Sequence, residues 1–167
     1  MKINHLFFLI LGTVVLFSCN SSQQCKYAEP IALFDVNNPA VVKQSFNLKG
    51  MASNEYVAFD NGLRLELLQD GCKALTQEYR FEIPDAKDSN DSRSWCELSV
   101  QLFRYLGTSN QNIFQMADAW ANLIEEQKSE IRLGQEFPIA PGFGIKIDKL
   151  MSKEFATLIV TIKESDN

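Results

Sequence analysis

Four cysteines, one histidine and 21 carboxylates are the side chains with which this 167-residue chain could do chemistry. The histidine decides most. His5 stands before Leu6–Phe17, an uncharged run of twelve residues ending at Ser18-Cys19. A basic start, a short apolar centre and a small residue before the cut form the pattern of a secretion signal. Twelve residues are too few for a bilayer span, which takes about 20. Removal of residues 1–18 leaves no imidazole. That excludes Ser-His-Asp and Cys-His nucleophiles, the HExxH zinc site and any imidazole general base. GxGxxG, GxxxxGK[ST] and CxxC are absent as well. The residues therefore name no catalytic group, no metal-ligand set and no cofactor.

Removing residues 1–18 takes away one lysine and no acid, so the net charge moves from −5 to −6. An acidic chain does not suit nucleic-acid phosphates, which are met by clustered Lys and Arg. Two carboxylates across a cleft can hydrolyse a glycoside without histidine, which leaves a carboxylate-dependent hydrolase as an alternative. Asp85, Asp88 and Asp91 lack the spacing of a calcium loop and read as a solvated turn. Glu125, Glu126, Lys128, Glu130 and Arg132 read as the wet face of a helix. Cys25, Cys72 and Cys96 are an odd set. Reach favours Cys25 with Cys72, because Cys25 sits on a leader able to approach the turn that holds Cys72. Closing that loop stabilises by about 4 kcal/mol in the chain-entropy model. Cys96 is then a buried thiol near a helix start. Gly142, Phe143 and Gly144 could form a recognition loop presenting the phenyl ring. Trp95 and Trp120, at helical spacing, read as core.

The tetrapeptide Leu16-Phe17-Ser18-Cys19 resembles the lipobox of bacterial lipoproteins. The resemblance covers residues 1–22 and implies that Cys19 is acylated and becomes the new N-terminus. It also implies attachment to a membrane through acyl chains on Cys19, within the cell envelope. Asn20, in place of the Asp that retains many lipoproteins at the inner membrane, points to the outer membrane. The division expected is a signal peptide at 1–18, a lipidated N-terminus and leader at 19–42, and one globular domain at 43–167.

The elements that would position these residues follow from period and punctuation. Strands are expected at Lys43–Lys49, Glu55–Phe59, Gly62–Gln69 and Thr76–Ile83, with Asn61-Gly62 as a tight hairpin turn. Ser94 and Glu97 have capping-box spacing for a helix that stops at Gly107. Ser109 can cap a second helix carrying Ile113, Ala117, Trp120, Ile124 and Ile131 on one face. A connector of about four residues makes the two an antiparallel hairpin. Beyond Pro141-Gly142 the chain returns to strands, the last being Phe155–Lys163, apolar on much of both sides and therefore interior. The fold expected is α+β: an antiparallel sheet of five to six strands, in the order four strands, two helices, two strands, with the helical hairpin on one face. The function expected is a non-catalytic binding or accessory module meeting a protein or glycan partner. A structural envelope protein is the remaining alternative.

Overall fold

The computed structural model describes residues 25–84 and 90–165. Cys19 and the segment with Asp85 and Asp88 lie outside the described residues. Four strands come first: β1 (Val41–Lys49), β2 (Ala52–Phe59), β3 (Arg64–Asp70) and β4 (Thr76–Pro84). Helices α1 (Ser92–Ser109) and α2 (Phe114–Gln127) follow, then β5 (Glu136–Ala140), β6 (Phe143–Met151) and β7 (Phe155–Glu164). The strands form one antiparallel sheet in the order β1-β2-β3-β4-β7-β6-β5. The class is α+β, as the patterning implies.

The strand count expected from the sequence is corrected to seven, and three strands follow the helices instead of two. The added strand is β5, five residues long with Pro138 inside it. Proline donates no ladder hydrogen bond and reads as a break, but a strand at the sheet edge tolerates it. β7 is interior, between β4 and β6. Ala156, Leu158, Val160 and Ile162 are buried on its helix side, and Thr157, Ile159 and Thr161 are half-buried on the opposite face.

The helix boundaries also shift. Asp91 caps α1, accepting from the backbone N–H of Arg93 at 3.1 Å and of Ser94 at 3.3 Å. Ser94 is inside the helix and donates its hydroxyl to Asp91, while Glu97 pairs with Arg93. A carboxylate satisfies two of the first-turn amides at once, so it displaces the capping box. Gly107 does not end α1, which continues to Ser109. Gly107 is buried, and a Cβ added there would meet Ala117 and Phe114 of α2 at 3.5 Å. Ser109 caps nothing in α2: its hydroxyl donates to the carbonyl of Tyr105. Four residues, 110–113, join the helices.

The core lies between the helices and one sheet face. Tyr79 and Phe81 of β4 meet Phe103 of α1 edge-on, with centroids 4.9 and 6.0 Å apart. Leu65, Leu67, Leu158 and Ile147 complete the sheet side, all fully buried. Burying each such side chain contributes roughly 1.5–3 kcal/mol. Among the described residues no helix is long and apolar enough to cross a membrane.

Residues 25–40 form a strap that closes the same face over β1–β3. Cys25 is joined to Cys72 by a disulfide. Lys26 and Tyr27 donate backbone N–H groups to the carbonyls of Cys72 at 2.9 Å and Gly71 at 3.2 Å. Further along, Phe34 is 3% exposed and packs edge-on against Phe59. Asn110, beyond α1, donates to the carbonyl of Leu33 at 2.8 Å, and Asn38 donates to the carbonyl of Ser109.

Candidate functional site

Successive residues of a strand point to opposite faces. Where Val57, Leu65, Leu67, Tyr79 and Phe81 turn inward, Tyr56, Arg64, Glu66, Arg80 and Glu82 must turn outward. The helices and strap lie on one face, so this outer set is the surface left for contact. It is ordered. Register places Arg64 of β3 opposite Glu82 of β4, and Glu66 opposite Arg80. The four make a checkerboard with like charges on the diagonals.

The distances are those of formed ion pairs. Arg64 Nη1 lies 3.1 Å from Glu82 Oε2, and Arg80 Nη1 lies 3.2 Å from Glu66 Oε2. Arg80 Nε also donates to Glu78 Oε1 at 2.7 Å. The second oxygen of Glu66 accepts from Asn54 at 2.7 Å, and that of Glu78 from Thr161 at 3.3 Å. Partial burial disfavours the Arg80 cation, and the carboxylates of Glu78 and Glu66 outweigh that effect and raise its pKa. Arg64, Glu66, Arg80 and Glu82 border a depression of about 380 Å³, with Leu150 and Thr157 at its other side. Leu150 is 62% exposed.

The arrangement suits recognition more than hydrolysis. A glycosidase pair faces its two carboxyl groups toward one bond. Here Glu66 and Glu82 each face an arginine, so the acids are engaged with guanidinium donors. Cross-strand ion pairs at a partly solvated surface contribute roughly 0.2–1 kcal/mol each, small enough for a partner to rearrange them.

A second cluster lies inside. Glu55 of β2 is fully buried, and its oxygens accept from the backbone N–H of Leu33 at 2.8 Å, of Phe34 at 3.0 Å and from Gln44 Nε2 at 2.9 Å. Beside it Gln69 donates to the carbonyl of Ile31 at 3.2 Å and to Ser53 Oγ at 3.4 Å. These residues fasten the strap. Sequence reasoning passed over Glu55, although parity marks it: two and four residues on stand Val57 and Phe59, both inward.

The residues singled out from the sequence are distributed elsewhere. Gly142 makes the β5–β6 turn at φ +76°. The Phe143 ring packs on Trp120 of α2, centroids 5.9 Å apart, and Gly144 lies beneath Glu136. None of the three joins the open-face depression. Cys96 is fully buried in α1, and burial pushes its thiol up to about 11, which removes thiolate at neutral pH. Lys149 lies 5.6 Å above the Trp95 ring, which is 4% exposed. Compared with protein-family models, curated proteins and solved structures, the chain matches none.

Proposed function

We propose that this protein is a lipid-anchored binding module of the cell envelope, held by acyl chains on Cys19, probing a partner protein with the open face of its sheet. The observation that carries the reading is the Arg64–Glu82 and Glu66–Arg80 checkerboard on a face that neither the helices nor the strap cover. Partly exposed charges of both signs around Leu150 and Tyr56 fit a protein surface with alternating charges. Electrostatic complementarity of that kind sets register and excludes wrong partners. The lipobox at Leu16–Cys19 supports the address. Three acyl chains exceed the two signals needed for stable anchoring, since each buried methylene contributes about 0.8 kcal/mol.

Two measurements test this reading. Metabolic labelling with a clickable palmitate should mark the protein and fail on Cys19→Ser. For the face, a photo-crosslinking residue at Thr157, in the depression, is compared in intact cells with one at Gln101, exposed on α1. The expected result is a discrete protein adduct from Thr157 alone, lost when Arg64 and Arg80 are both changed to Glu. Adducts from both positions, or from neither, or a glycan adduct at Thr157, would overturn the assignment.

A further inference from the structure

We propose that the rim of the sheet around Cys72 is the membrane-facing surface of the domain and rests on anionic lipid headgroups. This deepens, and rests on, the lipid-anchor reading of Cys19. Strand register puts Lys49, Asp70, Thr76 and Lys163 in one row across β1, β3, β4 and β7. The β3–β4 turn with Cys72 projects from that row. The described part of the chain starts there: Cys25 is bonded to Cys72 and the next two residues are hydrogen-bonded to the same turn. Lys26 and the Tyr27 hydroxyl also hold Glu164, at the end of β7, from the same side. The root of the tether is therefore fixed on the rim at several points.

Six residue-to-residue steps lead from Cys19 to Cys25. Fully extended, they reach about 20 Å. The opposite end of the sheet lies a strand length away, about 30 Å for the ten residues of β7. A lipid at Cys19 therefore keeps the Cys72 rim near the bilayer and leaves the β2–β3 and β6–β7 turns farther out.

The charges on this rim fit that placement. Lys49, Lys73 and Lys163 are exposed. Among the described residues none of them makes an ion pair. Against them stand Asp70, whose Oδ1 accepts the Cys72 N–H at 3.0 Å, and Glu136, which lies over Gly144 opposite Lys163, while Glu164 is taken up by Lys26. Lys73 and Lys163 border one depression of about 410 Å³ with Asp70 and Cys72, open to a phosphate headgroup. At the far end Arg64 and Arg93 are held by Glu82 and Glu97, and Asp60, Asp91 and Glu154 are exposed near Lys43 and Lys153.

Lysine footprinting tests the placement without altering the rim. The mature chain is coupled through the Cys19 thiol to a maleimide lipid in phosphatidylcholine vesicles containing phosphatidylglycerol. Cys25 and Cys72 are bonded and Cys96 is buried, so Cys19 is the thiol that reacts. Acylation by an amine-reactive reagent is then read by mass spectrometry, tethered against untethered. Lys49, Lys73 and Lys163 should react about fivefold more slowly when tethered, the factor that one lysine–lipid contact of roughly 1 kcal/mol supplies. Lys153 should change by less than a factor of about two. Uniform slowing, or slowing at Lys153 instead, would overturn the orientation. In phosphatidylcholine alone the contrast should shrink, and an unchanged contrast would overturn the role of anionic lipid. Because the tether is imposed chemically, these outcomes stand apart from palmitate labelling, whose failure would remove the anchor reading itself.

Discussion

Glu55 is the residue whose replacement should most affect the strap. Its carboxylate is fully buried and accepts the Leu33 and Phe34 amides and the Gln44 side chain. A buried donor left without a partner costs about 1–3 kcal/mol. Glu55→Ala orphans all three donors. Counting about 2 kcal/mol for each strap amide and letting water reach Gln44, the loss should be about 4 kcal/mol. Glu55→Gln keeps one acceptor oxygen and turns an NH2 toward a donor, while the neutral amide escapes part of the penalty for burying a charge. Its loss should be about 2 kcal/mol. Urea unfolding with a constant slope gives both values, and amide exchange at Leu33 and Phe34 locates them. If Glu55→Gln is as stable as the parent and those two amides stay equally protected, the carboxylate is not what fastens the strap.

Two further predictions concern a helix and an ion pair. Gly107 lies inside α1, and a Cβ there meets its neighbours at ordinary contact distance, so Gly107→Ala should raise stability by about 0.5–1 kcal/mol in thermal or urea unfolding. A loss of stability would mean that the two helices approach more closely than described. The Lys26 ammonium and the Tyr27 hydroxyl hold the Glu164 carboxyl below its ordinary value of 4.5. A depressed carboxylate binds fewer protons folded than unfolded. Its contribution is complete above the unfolded value and is lost as pH falls through the folded one. Urea midpoints should therefore decline below about pH 4.5, and Glu164→Gln should flatten part of that decline. Parallel profiles for parent and variant would rule out this contribution.

The sequence by itself determined whatever depends on neighbours a few positions away. Alternation in Leu63–Gln69 and Tyr79–Ile83 marked strands, and Ile113, Ala117 and Ile124 marked a helix face, because each residue's exposure follows from the local period. Asn61-Gly62 marked a turn because the tight turn needs positive φ, and Gly62 has φ +85°. β5 was missed because its edge position excuses Pro138, and the sheet order is not written in those five residues. The α1 cap went to Asp91 because its two oxygens each accept a first-turn amide, where the single Ser94 hydroxyl could accept only one, and the spacing alone does not choose between these acceptors.

The candidate site was less legible still. Arg64 and Glu82, or Glu66 and Arg80, are far apart in sequence and meet only through the β3–β4 register. The strap is the extreme case. A polar leader with two prolines carries no period, yet Phe34 is buried because Glu55, 21 residues on, offers its amide an acceptor. Local patterning says which way a side chain faces, whereas the partner it finds there depends on chain closure across the sheet.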